Sequence, residues 1–570
     1  MTTRWLVKPK PEQETIHSLQ EVLGVSDTIA HLLVQRGIRD FNSAKEFFRP
    51  SLEKLHNPFL MKDMDKAVER IIKAVESGEN IMVYGDYDVD GATSVALMYD
   101  YLKNYSEHVT FYIPDRYKEG YGISQAGIDY AEDNGITLIV ALDCGIKAID
   151  KVDYANQKGI DFVICDHHLP SETLPAAVAI LDPKRLDCDY PFEGLSGCGV
   201  GFKLIQALST HFRTTKKELY TYLDLVVVSI AADIVPMIGE NRILAHFGLK
   251  VLNDSPRLGL RMLIPKESMG HVDISKIVFS IAPKINAAGR IKQATDAVRL
   301  LISDNEITAR KYVSEIMSLN TQRKSLDAEI TESAIKQITE NNQQYKFSTV
   351  VYNPAWHKGV IGIVASRLTE VFYRPTVVFT KGEDGDLVAS VRSVKGFDVY
   401  EAIASCADLL DRYGGHMYAA GLSMKEVNLP NFKRKFEEAV KNKIHKTQQI
   451  PTVEIDTELT FDQIDAKFIR ILKQFQPYGP GNLAPQFLSK NIRSAGGERI
   501  LGRNQEHLKF NVFHPAVRKV FSAIAFGRGD LKNRIKTEPF DMVYHIEENI
   551  WQGKSHLQLR VTDIRFPEVI

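Results

Sequence analysis

Several short apolar runs in the first half of the chain stop on acidic or imidazole side chains. Ile81–Tyr84 runs into Gly85-Asp86-Tyr87-Asp88-Val89-Asp90-Gly91, and Thr137–Leu142 ends on Asp143. Phe162–Cys165 ends on Asp166-His167-His168, and Leu225–Ala232 ends on Asp233. Where such runs lie side by side in a doubly wound sheet, their carboxyl ends line one crevice, the usual place for a ligand. Carboxylates gathered there repel and raise one another's pKa unless cations neutralise them. Carboxylates with one or two imidazoles and no thiolate suit Mn²⁺ or Mg²⁺. Two such ions about 3.5–4 Å apart can activate a water and stabilise the leaving oxygen of a phosphodiester. Any one of these aspartates could equally be a turn residue or a helix cap. The whole set, each at the end of an apolar run, points to chemistry.

The elements that must position this set follow from periodicity. Runs at Ile81–Tyr84, Val109–Ile113, Thr137–Leu142, Phe162–Cys165 and Val178–Leu181 are short and rich in Val, Ile or aromatics, with helical patterns such as Lys66–Glu76 between or before them. Strands alternating with helices imply parallel crossovers. The expected organisation is a helical segment at 1–60, a doubly wound parallel-sheet α/β domain at 61–300, and a connecting helix at 301–345. A second, smaller α/β domain at 346–447 and an antiparallel β-domain of OB type at 448–570 follow. The connector is inferred because residues 304–343 contain no Gly or Pro and carry apolar residues at helical spacing. A two-helix hairpin is the alternative there. Alternating segments at His507–Phe513, Val520–Phe526, Met542–Glu547 and His556–Val561 suit a barrel that binds single strands, with a sandwich as the competitor.

Composition excludes little. With 71 Lys+Arg against 72 Asp+Glu the formal net charge is −1, so any grip on nucleic acid must be a local stripe of positive charge. Five cysteines without a C-x-x-C pair argue against a disulfide framework. No apolar run is long enough to span a membrane, and the N-terminal residues lack a signal-peptide core, so a cytoplasmic protein is expected.

GDYDVDGATS, LDCG, DHH and AADIVP resemble, in order and spacing, the successive motifs of the DHH phosphoesterase superfamily. Met82 stands where other branches carry a histidine. That departure, together with IPDRYKEGYG, APKINAAGRI, WHKGVIGIVASRL, SVRSVKGFD, GGHMYAAG and FQPYGPGNLAPQF, resembles the RecJ branch. The likeness covers about residues 75–565, and the extra C-terminal domain that some members carry is not expected here.

The resemblance implies two divalent cations, Mn²⁺ or Mg²⁺. Asp86, Asp143 and Asp233 would hold one, and Asp88, Asp143 and His167 the other, with Asp143 bridging. His168 would face the scissile phosphate and Asp166 would orient a neighbour, while Asp90 is not expected to be a ligand and would instead open a helix at Gly91–Ser94. Arg116, Arg290, Ser390 and Arg392 would bind the terminal phosphate of a strand, and His416 a backbone phosphate. The implied activity is 5′→3′ hydrolysis of single-stranded DNA to 5′-mononucleotides in repair and recombination. The implied state is a monomer with no membrane contact, partnered by a single-strand-binding protein and a helicase. A phosphodiesterase on short oligonucleotides or cyclic dinucleotides is the alternative; a non-catalytic scaffold is a third reading, disfavoured because no expected ligand is missing.

Other features read as structural. Gly197-x-Gly199-x-Gly201 has no strand immediately before it and suits a helix-entry turn. Cys165 ends a buried strand and is not expected to be nucleophilic. His357, Trp356, Phe526 and Trp551 are as readily packing residues as ligands.

Overall fold

The computed structural model describes residues 3–382, 385–502, 504–551 and 554–567. Its chain forms two compact units, one of His56–Val235 and Phe247–Pro451, the other of Met1–Leu55, Pro236–His246 and Thr452–Ile570.

In the first unit, the apolar runs become a five-stranded parallel sheet. From edge to edge it runs Val109–Tyr112, Ile81–Gly85, Leu138–Leu142, Asp161–Cys165 and Ala179–Leu181. The two central strands, Ile81–Gly85 and Leu138–Leu142, are buried at every residue, which is why they read as unbroken apolar runs. Sequence order reverses at Ile81–Gly85, so the switch point lies where Asp86 and Asp143 leave adjacent strands. One expectation needs correcting. Leu223–Ala232 is a helix, so Asp233 sits at a helix C-terminus and not beyond a strand. A helix buried on nearly all sides shows no polar stripe, and its sequence cannot be told from a buried strand by periodicity.

Beyond this sheet the connector is one continuous helix, Glu306–Glu340, capped by the Asn305 side chain accepting from the Thr308 amide at 2.9 Å. At about 1.5 Å per residue it is roughly 50 Å long. Its buried face is apolar at both ends but carries Asn320, Arg323 and Asp327 in the middle. The second sheet runs Arg412–His416, Ala419–Met424, Leu387–Arg392, Thr376–Lys381 and Thr349–Tyr352. One face packs on the helix Leu429–Lys443, through Phe432, Phe436 and Val440. The other packs on the helix Ile361–Phe372 and on Ile330, Ala334 and Ile338 of the connector.

The second unit contains a closed barrel. Phe487–Leu501, His507–His514, Val517–Ala525, Lys554–Arg565 and Phe540–Trp551 pair in that order, and Phe540–Trp551 returns to Phe487–Leu501. All these pairings are antiparallel except Val517–Ala525 with Lys554–Arg565. Helices Gln13–Leu23, Asp27–Val34 and Phe41–Phe48 share the barrel's core: Ile16, Leu19, Leu32 and Ala44 cluster with Phe468, Phe487, Phe510 and Tyr544. An N-terminal strand, Arg4–Val7, absent from the expected organisation, pairs in parallel with Thr452–Ile455. Among the described residues no helix is long and apolar enough to cross a membrane.

Candidate metal centre and phosphate pocket

The loop after Ile81–Gly85 delivers three aspartates with three different surroundings. Asp86 is fully buried; its Oδ1 accepts weakly from the Gly122 amide at 3.4 Å, and its Oδ2 has no hydrogen-bond partner. Asp88 caps the helix Val89–Lys103, accepting from the Gly91 amide at 3.0 Å. This corrects the expectation for Asp90, which lies inside the first turn. Asp90 accepts instead from the Gly197 amide (2.7 Å), the Cys198 amide (2.8 Å) and the Ser229 hydroxyl (2.7 Å). It thereby ties the loop to the start of the helix Gly197–Phe212 and to the helix that ends on Asp233.

Asp143 follows the adjacent strand with a left-handed backbone, φ 59°, and is almost wholly buried. Gly197 makes room for it: a Cβ there would lie 2.6 Å from the Asp143 Cβ. Gly91 is required in the same way, since its Cβ would meet the Asp86 carbonyl oxygen at 2.2 Å. The Gly-rich string at 197–201 is therefore the capped helix entry expected of it, with a second job at its first glycine.

His167 faces the acids with one nitrogen. Its Nδ1 lies 3.1 Å from the Leu195 carbonyl, to which it donates, leaving Nε2 at 3.1 Å from Asp143 Oδ1 and 3.7 Å from both Asp90 Oδ2 and Asp233 Oδ2. Asp166 lies behind. Its carboxylate accepts from the amides of Ile146, His167 and His168 and from His168 Nδ1 at 2.7 Å. Burial would raise the Asp166 carboxyl, but the His168 contact and these amides bring it down to about 2. Burial likewise acts against the His168 imidazolium, but the Asp166 hydrogen bond and charge, together with the charges of Asp233 and Asp90, raise that pKa. Two residues that spacing did not single out complete this wall. The Tyr121 hydroxyl lies 3.2 Å from His168 Nε2, and the Lys184 ammonium donates to the His167 carbonyl.

The crevice is electrostatically frustrated. Burial and then the Asp88 charge raise Asp86 to about 8; burial, then Asp90 and Asp88, raise Asp233 to about 8, although a third of its side chain is exposed. Asp88 is raised by burial and by Asp90, and Asp143 well above the ordinary range by burial and four neighbouring carboxylates. Asp143, His167 and His168, and likewise Asp90, His167 and Asp233, present ligand atoms within 4.8 Å of one another. A buried Asp86 oxygen without a partner, and an imidazole nitrogen turned toward the Asp143 and Asp233 carboxylates, are donors that suit a hard divalent cation, so the set fits Mn²⁺ or Mg²⁺.

A cluster of opposite sign lies on the far side of Tyr87. The Arg116 guanidinium sits over the Tyr87 ring, 4.7 Å from its centroid. Gly289 in the helix Ala282–Ile291 approaches the Tyr87 carbonyl so closely that a Cβ would lie 2.6 Å away. That helix carries Arg290, whose Nη1 donates to the Gly359 carbonyl at 3.2 Å. Arg392 donates to Ser390 Oγ at 3.1 Å, and a Cβ on Gly362, in the first turn of Ile361–Phe372, would lie 3.1 Å from that oxygen and 3.3 Å from Arg392 Nη2. Burial and then Arg116, Arg392 and Arg323 lower Arg290 to about 10; burial and then Arg116 lower Arg392. Guanidinium groups that depress one another beside a helix N-terminus are suited to hold an anion. His416 is not within this group. It is exposed, in register with Ala419 and through it with Arg392, about 10 Å away across two strand spacings.

Of the residues set aside, Cys165, Trp356 and His357 behave as structure, whereas Phe526 does not pack in the core. Cys165 is buried and its thiol pKa is pushed up, Trp356 is buried, and His357 Nδ1 accepts from the Gly359 amide. Phe526 is exposed, and the Trp551 side chain lies outside those described.

Three family models match the chain: the DHH family N-terminal domain over residues 80–230, the DHHA1 domain over 342–442 and the RecJ OB domain over 455–563. The single-stranded-DNA-specific exonuclease RecJ of Bacillus subtilis (strain 168) is 35% identical over 569 residues, covering 99% of this chain and 71% of that one. Its counterpart from Haemophilus influenzae is 31% identical, with 92% and 94% covered. Among solved structures, RecJ in complex with Mn²⁺ from Thermus thermophilus superposes with a TM-score of 0.83 at 29% identity, covering 100% of this chain and 80% of that one. Exonuclease RecJ bound to manganese gives 0.60 at 32% identity, covering 70% and 98%.

Proposed function

The chain belongs to the RecJ family of DHH phosphoesterases, and we propose that it removes nucleotides one at a time from the 5′ end of single-stranded DNA. The observation that carries this reading is adjacency. The loop that supplies Asp86 and Asp88 also supplies Tyr87, under Arg116, so a crevice of carboxylates borders a pocket of arginines. A strand whose terminal phosphate enters the pocket brings its first diester to the crevice.

In this reading Asp86, Asp143 and Asp233 would hold one divalent cation, and Asp88, Asp143 and His167 would hold the second. Bound there, Mn²⁺ or Mg²⁺ supplies a nucleophilic water at neutral pH and stabilises the leaving oxygen. The Leu195 carbonyl fixes the His167 tautomer, so that Nε2 keeps its lone pair for a ligand. His168, favoured in its protonated form by Asp166, presents positive charge to the scissile phosphate. Arg116, Arg290, Arg392 and Ser390 clamp the terminal phosphate, and His416 meets a backbone phosphate further along.

Water adds to phosphorus, the 3′ oxygen of the first nucleotide leaves, and a 5′-mononucleotide is released. The shortened strand keeps the phosphate at its new 5′ end. Each turnover thus regenerates the group that the arginine pocket binds, which suits 5′→3′ digestion. The closed barrel favours long strands over dinucleotides, because it offers a backbone-tracking surface that a small substrate would not need. We place the activity in DNA repair and recombination in the cytoplasm, carried out by a monomer working with a single-strand-binding protein and a helicase.

The test is digestion of 5′- and 3′-labelled single and double strands with Mn²⁺ or Mg²⁺. The expected result is immediate mononucleotide release from 5′-labelled single strands. Label released first from 3′ ends would overturn the polarity.

A further inference from the structure

The arginine pocket is assembled from two halves that are far apart in sequence. Arg290 belongs to the helix that packs against the Tyr87 loop, whereas Ser390 and Arg392 belong to the second sheet. Something must set the distance between them to within a fraction of an ångström if one phosphate is to touch both.

The connector helix touches both halves and carries a buried polar stretch at that level. Asp327 is completely buried, and neither of its carboxylate oxygens has a hydrogen-bond partner, so its contacts are ion pairs. Its Oδ2 lies 2.7 Å from Arg367 Nη2 and 3.8 Å from Arg323 Nη1, and Arg323 in turn donates to Asn320 Oδ1 at 2.9 Å. Arg367 sits on the helix Ile361–Phe372. The first turn of that helix abuts Ser390 and Arg392, and Gly359, just before it, receives Arg290. A lone buried carboxylate is unfavourable, and removing one partner of a buried ion pair leaves the other charge uncompensated. Burial raises the Asp327 pKa, against the opposing charges of Arg367, Arg323 and Arg290.

We propose that Asp327 is a positioning residue for the terminal-phosphate pocket, pinning Arg367 and Arg323 so that Arg290 and Arg392 converge on one phosphate. The proposal rests on the reading of that pocket given above. Asp327 touches neither substrate nor metal. It acts through the helix Ile361–Phe372, and the sign of its effect follows from geometry: losing the pin lets the two halves drift apart.

The experiment compares kcat/KM on 5′-phosphorylated and 5′-hydroxyl single strands for wild type, Asp327→Asn, Arg367→Ala, the double variant and Arg392→Ala. Half-saturating Mn²⁺ is measured for each. Asp327→Asn and Arg367→Ala are expected to lower the preference for the phosphorylated end by about 5- to 20-fold, mainly through KM. The double variant should lose no more than Asp327→Asn alone, because the contact that Arg367→Ala removes is already broken in it. Half-saturating Mn²⁺ should not move, which separates mispositioning of the pocket from general loosening of the site. Arg367 is half-exposed, so its variant decides the matter should Asp327→Asn fail to fold. If Arg392→Ala erases the preference while Asp327→Asn and Arg367→Ala retain it, the pocket stands and the positioning role is overturned. If Arg392→Ala retains it, the pocket reading falls and takes the positioning role with it.

Discussion

The acid crevice and the arginine pocket are built in the same way from opposite charges. In the crevice, burial and mutual repulsion push Asp86 and Asp233 up to about 8; in the pocket, they push Arg290 down to about 10. Each cluster is thus held in a state that a counter-ion would relieve. The difference lies in how each is anchored. The crevice is anchored largely by main-chain groups, through Gly197, Cys198, Ile146 and Leu195, on the strand ends and helix starts of one α/β domain. The pocket spans two sheets and depends on side chains and helix placement. A site for small hard cations is fixed by one rigid frame, whereas a phosphate held by arginines from two elements depends on how those elements are placed against each other.

If the two clusters divide the work in this way, substitutions in one should leave the signature of the other intact. The largest effect is expected from Asp143→Ala, which should abolish cleavage while leaving single-strand affinity within about tenfold. Chelation of wild type should do the same. Turnover by the variant at saturating Mn²⁺, followed by mononucleotide release, would break the assignment.

Arg392→Ala comes next. Removing one arm of a charge-assisted clamp costs about 1.5–3 kcal/mol, so activity on 5′-phosphorylated strands should fall about 10- to 100-fold. The preference over 5′-hydroxyl ends should largely vanish at matched salt, with the metal requirement unmoved.

A smaller effect of the opposite kind is expected at Gly197, where a methyl group would press on Asp143. Gly197→Ala should raise half-saturating Mn²⁺ about tenfold without altering the end preference. A shifted preference with unshifted metal affinity would show that crevice and pocket are not separable.

The smallest effect belongs to the barrel surface, where Arg499 and Lys509 are cross-strand neighbours. Their joint replacement by alanine should weaken binding to long strands about 3- to 10-fold and flatten its salt dependence, with little change on short oligonucleotides. Equal loss on short and long substrates would place the first phosphates on the barrel.

Much of this is legible in the amino-acid sequence. Strand ends at Asp86, Asp143 and Asp166 follow from short apolar runs, because buried parallel strands have no polar face to confuse them. The connector follows from the lack of Gly and Pro between 304 and 343. Spacing misplaces Asp233 on a strand for the same reason, since a buried helix has no polar face either. It assigns helix capping to Asp90 although Asp88 does it, because local offsets cannot show that Gly197, Cys198 and Ser229 wait more than 100 residues away to take the Asp90 side chain. The roles of Tyr121, Lys184 and Asp327 are invisible for a related reason. Each depends on a partner or an interface that only folding brings close.

One feature of the barrel unit acts in time as well as in space. Helices Gln13–Leu23, Asp27–Val34 and Phe41–Phe48 are made first, yet the core they share begins again only at Leu459. A ribosome working at roughly 5–20 residues per second needs about 20–80 s to cover the interval between Ala44 and Leu459. During that interval Ile16, Leu19, Ile29 and Leu33 have no barrel to cover them, while the strands and helices of the other unit emerge and can fold. The oldest part of the nascent chain is therefore among the last to be finished. Cutting the chain after residue 447 would not trim a module from one end; it would orphan its beginning.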